Sequence, residues 1–269
     1  MVSRRGEMMT VKFAVLGPVA ACSDGIPIKV TGSTALTVLA GLLVSANEVV
    51  PRDTLVGWAW PGRRPDNPKG ALQNAMSRLR KLIGDDNVTT LPWGYLLCAD
   101  GERLDLVRFR ALSAAATAAI AAGAAEKALA LLDEAIGLWY WPVLANVSSE
   151  VLLRDAVPHL TEQYLRAVEQ RAALRLRLRR PAGLPEELTE LAREHPFRET
   201  LIGHLMVALY LTGRPSEAFA AFHALRLALS ADLGIVPSPA LRGLYETLVQ
   251  DIPSFDRWLG DWAAMNCHA

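Results

Sequence analysis

Across residues 67–84 (NPKGALQNAMSRLRKLIG) apolar side chains recur at helical spacing, with Leu72, Ala75, Met76, Leu79, Leu82 and Ile83 forming one stripe. Pro68 suits a first helical turn, where the missing N–H has no intrahelical acceptor to lose, and Gly84 suits a stop. At about 100° per residue, Gln73, Asn74, Ser77 and Lys81 fall opposite the stripe. Lys69 and Arg80 lie on one flank of that polar face, and Arg78 on the other. Such a helix is either an ordinary amphipathic surface helix or a reader of the DNA major groove. The second alternative has specific chemistry behind it, because Gln and Asn pair with adenine edges and Arg with guanine or phosphate.

The neighbouring patterns favour the reader. Residues 12–17 (KFAVLG) and 26–30 (IPIKV) alternate in the strand manner around Ser23-Asp24-Gly25, which predicts a short antiparallel hairpin. A helix with a Ser/Thr-type start follows over 33–46, apolar enough to require burial. Val50-Pro51-Arg52-Asp53 opens a second helix running to Trp60, and Pro61-Gly62 ends it. A basic loop, Arg63-Arg64-Pro65-Asp66, leads into the amphipathic helix. After the turn Asp85-Asp86-Asn87, residues 88–90 and 95–98 read as two strands around Pro92-Trp93-Gly94. Strands, three helices and a closing hairpin are the order of a winged helix-turn-helix, with an added N-terminal sheet.

The second half is patterned for helices alone. Residues 109–138 are Ala-rich and split at Gly123, and Trp139-Tyr140-Trp141-Pro142 interrupts the periodicity. A long helix is expected from 150 or 153 to 179, with Pro158 able to kink or restart it. Shorter helices are expected over 185–194, 198–212, 215–229 and 239–249, punctuated by His195-Pro196, Gly213-Arg214-Pro215 and the stretch 234–239. HLMVALYLTGRPSEAFAAFHAL, at 204–225, carries the Ala/Tyr, Gly and Ala spacing of a tetratricopeptide repeat.

These stretches resemble a known family. FAVLGPV (13–19), NEVVPRDTLVGWAW (47–60), ALQNAMSRLRKLIG (71–84) and GYLL (94–97) look like the DNA-binding domain of the Streptomyces antibiotic regulatory proteins, a response-regulator-type winged helix. Residues 194–250 look like the bacterial transcriptional activator domain joined to it in that family. The resemblance implies a mainly α protein with a small β part: a winged helix-turn-helix over 10–104, then a tetratricopeptide-like helical domain over 105–250. The tail, 251–269, with Trp258 and Trp262, matches no pattern, and the alternatives are a short amphipathic helix capping the last groove or a disordered end.

The family likeness also implies roles. Gln73, Asn74 and Ser77 would sit nearest the base edges. Lys69, Arg78, Arg80 and Lys81 would hold phosphates, with guanine an alternative for Arg78. Thr89, Thr90, Trp93 and Tyr95 in the wing are candidates for backbone or minor-groove contact, with packing open for Trp93 and Tyr95. Two departures stand out. The family's proline and basic patch at the start of its first helix is replaced by Ser33-Thr34-Ala35-Leu36, and the arginine before the wing turn by Leu91. Arg52, Arg63 and Arg64 can compensate. The implied activity is that of a transcriptional activator. It would bind promoter direct repeats as a homodimer, recruit RNA polymerase through its sigma factor, and act on secondary-metabolite genes. The alternative is a protein-interaction adaptor of the same fold with weak or lost DNA binding.

Composition narrows the field further. The net charge of zero conceals a local excess, with six basic residues against Asp66 alone between Arg63 and Lys81. Arg171, Arg175, Arg177, Arg179 and Arg180 form a second basic run, read as a solvated helix face or as one turned to DNA or polymerase. Cys22, Cys98 and Cys267 are too dispersed for a disulfide framework or a zinc site. His159, His195, His204 and His223 fit no metal or catalytic spacing, and no phosphate-binding loop or nucleophile elbow occurs. His195 reads as a helix cap, and His204, beside Glu199, as a half-buried structural histidine. No apolar run reaches the roughly 18 residues of a membrane span, and MVSRRGEMMT is not followed by the apolar run of a signal peptide. The expectation is a cytoplasmic, nucleoid-associated protein without catalytic activity, cofactor or metal.

Overall fold

The computed structural model describes residues 11–62 and 64–250. The 251–269 tail therefore lies outside the described residues. The chain divides into two compact units, residues 11–117 with 133–164, and residues 118–132 with 165–250.

The first unit opens with a three-stranded antiparallel sheet, β1 (Val11–Ala14), β2 (Ala20–Ser23) and β3 (Ile26–Pro27), in the order β1-β2-β3. This corrects the expected two-stranded hairpin between 12–17 and 26–30. Gly17-Pro18 turns the chain early, and the small residues of β2, which carry little strand signal, pair with both neighbours. Helices α1 (Ser33–Val44), α2 (Arg52–Ala59) and α3 (Pro68–Ile83) pack against one another. α1 is buried from Thr37 to Leu43 on every side, as an all-apolar helix must be. Leu39, Leu42 and Leu43 of α1, Leu55 of α2 and Leu72, Met76 and Leu79 of α3 are each at most 1% exposed. A second sheet, β4 (Val49–Pro51), β5 (Val88–Thr90) and β6 (Gly94–Leu97), runs in the order β4-β6-β5. β4 is a further correction, because Val50 and Pro51 were expected to open the second helix, which starts instead at Arg52. Its Val50 pairs with Tyr95 and is buried, so the strand is specified by its partner rather than by its own three residues.

Three more helices, α4 (Asp105–Ala121), α5 (Ala125–Ile136) and α6 (Glu150–Arg177), contribute residues to both units. Within the first, the segment after β1 is held by residues far along the chain. The Asp105 carboxylate accepts from the Val15 and Leu16 amides at 2.9 and 3.0 Å and also from Leu106. Burial pushes this carboxyl up, against the three amide donors that pull it down. The Tyr140 and Leu144 amides donate to the Leu16 and Gly17 carbonyls at 2.8 and 2.6 Å. Asn146 brackets Val19, accepting from its amide at 2.8 Å and donating to its carbonyl at 2.9 Å. Beside this seat Trp139 packs edge-on to Phe109, with ring centroids 5.0 Å apart, and stacks on Trp141 at 5.6 Å. Of the aromatic interruption seen in the sequence, Trp139 and Trp141 thus pack in a cluster, while Tyr140 is exposed.

In the second unit α7 (Leu184–Glu194), α8 (Glu199–Leu211), α9 (Pro215–Ala228) and α10 (Pro239–Gln250) follow α6, which continues through Pro158 without ending. α8 packs on α7, α9 and α10, and every residue from Leu201 to Leu209 is buried. A five-residue π-type turn, Leu229–Leu233, extends α9. Of the basic run, Arg171 pairs with Glu187, Arg175 donates to the Ala182 carbonyl, and Arg180 meets Glu126 at 2.8 Å. Much of that run is therefore used within the unit. His195 is the residue that closes α7, as its sequence position suggests.

His204 is fully buried, not half-buried as the sequence suggested, because α8 is covered on all faces. Burial lowers its pKa to about 4, opposed by a hydrogen bond to the Thr200 backbone. Between the unfolded value near 6.5 and the folded value near 4, the unfolded chain binds the extra proton. Stability is therefore present above pH 6.5 and lost as pH falls through that window. Urea titrations should show a loss of roughly 2 kcal/mol between pH 7 and pH 5 from this group. H204L should flatten that part of the profile, and an unchanged slope in the variant would contradict the assignment.

Candidate nucleic-acid interface

The local chemistry of α3 explains how it presents its polar face. The Asn67 side chain accepts from the Gly70 amide at 2.9 Å, Pro68 occupies the first turn, and Gly84 ends the helix at φ 91°. Leu72, Ala75, Met76, Leu79 and Ile83 are buried, while Leu82 is only half-buried. Ile83 continues the 72–76–79 row and Leu82 sits beside it, so the stripe ends one residue later than Leu82. Behind the helix end, the buried Asn87 amide donates to the Ile83 carbonyl and accepts from Arg103. Arg103 in turn donates to the Val11 carbonyl of β1 at 3.2 Å. Sequence reasoning missed this tether, since Asn87 reads simply as a turn residue.

Lys69, Gln73, Asn74, Ser77, Arg78 and Lys81 are all exposed on the outward side of α3. Asn74 and Arg78 border a cleft of about 300 Å³ shared with Trp60 and with Ser33 and Thr34 at the start of α1. Arg64, Thr89 and Thr90 are exposed as well, and Arg63 lies outside the described residues. The face opposite the stripe is therefore continuous and carries amides, hydroxyls and cations but no carboxylate of its own.

The wing is β5 and β6 joined across Pro92-Trp93. The Leu91 amide donates to the Gly94 carbonyl at 2.9 Å, and the reciprocal bond is 3.4 Å. At Gly94 a side chain is impossible without movement, because a Cβ would lie 2.3 Å from the Val50 carbonyl oxygen of the paired strand. Trp93 stands at the tip, 63% exposed, whereas Tyr95 is 3% exposed and packs inward. The packing alternative thus holds for Tyr95, whose ring is buried with the Arg52 and Arg80 guanidinium groups over it. Two further candidates also differ from a simple phosphate-contacting role. Arg80 is half-buried and donates to the Val88 carbonyl, and Arg52 donates to the Leu91 carbonyl at 2.8 Å.

Among the described residues no group of three or more His, Cys, Asp or Glu is placed to hold a metal ion, and no helix is long and apolar enough to cross a membrane. Glu199, considered with His204, instead accepts from the Ser238 amide at 2.9 Å.

Comparison with known proteins adds to this geometry. The family described as the bacterial transcriptional activator domain matches residues 104–249. The transcriptional regulatory protein EmbR of Mycobacterium tuberculosis is 32% identical over 247 residues, covering 90% of this chain and 64% of EmbR. The regulatory protein DnrI of Streptomyces peucetius is 31% identical over 258 residues, covering 92% of this chain and 95% of DnrI. AfsR of Streptomyces coelicolor is 34% identical over 250 residues, which make up 92% of this chain and 25% of AfsR. A solved structure of M. tuberculosis EmbR in complex with a low-affinity phosphopeptide superposes with a TM-score of 0.86 at 31% identity. That match covers 95% of this chain and 69% of the EmbR chain. This chain thus spans slightly less than two thirds of EmbR and nearly all of DnrI.

Proposed function

Because the chain belongs to the Streptomyces antibiotic regulatory protein family, whose members here are transcriptional regulators and not enzymes, we propose that it is a sequence-specific DNA-binding transcriptional activator. The observation that carries this reading is the outward face of α3. Gln73, Asn74, Ser77 and Arg78 are exposed there while the opposite stripe is buried. On this reading residues 10–104 bind DNA and residues 105–250 carry the activating contacts, a division supported by the match to residues 104–249. The targets are promoter direct repeats of secondary-metabolite genes, bound by a homodimer, and the helical part meets RNA polymerase holoenzyme through its sigma factor. The protein acts in the cytoplasm, at the nucleoid.

The roles on α3 divide by chemistry. Gln73, Asn74 and Ser77 read bases, Arg78 reads guanine or holds a phosphate, and Lys69, Lys81 and Arg64 neutralise phosphates. Thr89, Thr90 and Trp93 contact the DNA backbone. The test is to select genomic fragments with the purified full chain and sequence them. Enrichment of a repeated motif upstream of genes is expected, and a pool with no motif would overturn the reading. K69A and K81A should each weaken binding on every sequence and reduce the log K against log salt slope by about 0.9. Loss on one sequence alone would reassign the lysine to base reading.

A second reading is an adaptor of the same fold without DNA binding. It draws on the uncharged start of α1 at Ser33–Leu36 and on Arg52 and Arg80, whose guanidinium groups are engaged within the protein. Titration of the selected fragments at low salt discriminates, since the adaptor gives no specific shift.

A further inference from the structure

The wing is fastened to the helices by two arginines. Arg80 leaves the side of α3 and donates to the Val88 carbonyl through Nε at 3.2 Å and Nη2 at 2.7 Å. Its Nη2 also reaches Thr90 Oγ1 at 2.7 Å. Arg52, the first residue of α2, donates through Nη2 to the Leu91 carbonyl at 2.8 Å and through Nη1 to the Pro92 carbonyl. Its own amide donates to the Trp93 carbonyl at 3.2 Å. Both guanidinium groups stand over the buried Tyr95 ring, with their central carbons 5.8 and 6.0 Å from the ring centroid. Both strands and the turn of the wing are thereby addressed from α2 and α3. Each fork spends donors on backbone carbonyls that a phosphate would otherwise take, and each is half-buried where Lys69, Lys81 and Arg78 are exposed.

We infer that Arg52 and Arg80 are positioning residues that fix the wing against the reader helix and hold Trp93 outward, rather than phosphate contacts. The inference rests on the DNA-binding reading for its purpose and on the protein's own geometry for its mechanism. Trp93 takes the exposed place at the wing tip, and an indole offers apolar contact to a sugar without releasing a counterion. The wing's share of affinity is therefore insensitive to salt. Tyr95 is the surface on which both cations rest, so its burial is part of the same device.

The test uses the purified chain in two arms. In the first, without DNA, amide hydrogen exchange is followed in wild type, R52A, R80A and R80K, with K81A as a control. The β5 and β6 amides should exchange about tenfold faster in R52A and R80A, with α8 unchanged as an internal check on folding. R80K should resemble R80A, because an ammonium cannot reproduce the planar fork, whereas a phosphate contact would tolerate it. In the second arm, binding to a selected fragment should weaken about tenfold in R52A and R80A with the salt slope unchanged. W93A should cost much less in the R80A background than alone.

Unchanged wing exchange in both arginine variants would overturn the inference. So would a slope reduced by about 0.9 for each arginine, or full rescue by R80K. Absence of any specific complex with wild-type protein would instead overturn the DNA reading, and with it the purpose of the brace. The exchange arm separates that failure from failure of the brace itself.

Discussion

A chain carrying alanine at Gln73, Asn74 and Arg78 together is expected to lose specific DNA protection while keeping its fold. All three side chains are exposed, and none takes part in the Asn67 cap, the buried stripe or the Asn87 tether. The folded state therefore has little to lose, and circular dichroism and the urea midpoint should match wild type. Each well-formed bidentate contact to a base contributes about 1–3 kcal/mol of discrimination. Removing this set should lower affinity for the selected site by roughly a thousandfold. Non-specific binding should fall far less, because Lys69, Lys81 and Arg64 remain and the phosphate attraction does not depend on sequence. Footprinting on a selected promoter reads both effects at once. Undiminished protection at the repeats would remove α3 from the role of reader, whatever the wing does.

The second large effect is on stability. Glu169 of α6 takes Arg198 on both oxygens, from Nε at 2.7 Å and Nη2 at 2.8 Å. The carboxylate side chain is 8% exposed and the guanidinium 22%, so water screens this pair weakly. Arg198 immediately precedes α8, the helix on which α7, α9 and α10 pack. E169A removes one partner of a largely buried pair, which costs about 3–5 kcal/mol. Urea unfolding at neutral pH measures it. Replacing both partners, as E169L with R198M, should recover much of the loss, because neither charge is then buried. A loss below about 1 kcal/mol in E169A would mean that the pair behaves as a surface bridge.

The parts of this protein that were legible in the sequence are those with a long period or a strong stop. α3 lies within one residue of its sequence-read limits at both ends, because Asn67, Pro68 and Gly84 punctuate a five-turn amphipathic pattern. The wing strands, the split at Gly123 and the succession of helices after residue 184 follow for the same reason. β2 and β4 were not legible. Four and three residues long, they are chosen by partners elsewhere in the chain, and their own residues carry almost no alternation. The interface divides in the same way. Position on a helical wheel identifies which α3 residues are exposed, and it places Gln73, Asn74, Ser77 and Arg78 outward. It says nothing about what a flanking arginine reaches. Arg80 meets a strand eight residues on, and Arg52 a turn about forty residues on, and those distances in sequence carry no periodic signal. Tyr95 was ambiguous because its face of the strand is fixed only when β4, a strand the sequence did not disclose, lies beside it.

The clamp on residues 15–19 has a consequence for synthesis. Val19 and its Asn146 partner are 127 residues apart, so at about 5–20 residues per second this end of the segment waits roughly 6–25 s for its partner to be made. Between synthesis of Leu97 and of Tyr140, α1, α2, α3 and the wing are complete in the nascent chain, while the Leu16 and Gly17 carbonyls still lack the Tyr140 and Leu144 amides. α3 is thus translated well before the last stitch of its own unit. Truncation at residue 104, where the matched activator domain begins, removes Asp105 and every later partner of this segment. Such a fragment keeps the nascent chain's unfinished state permanently.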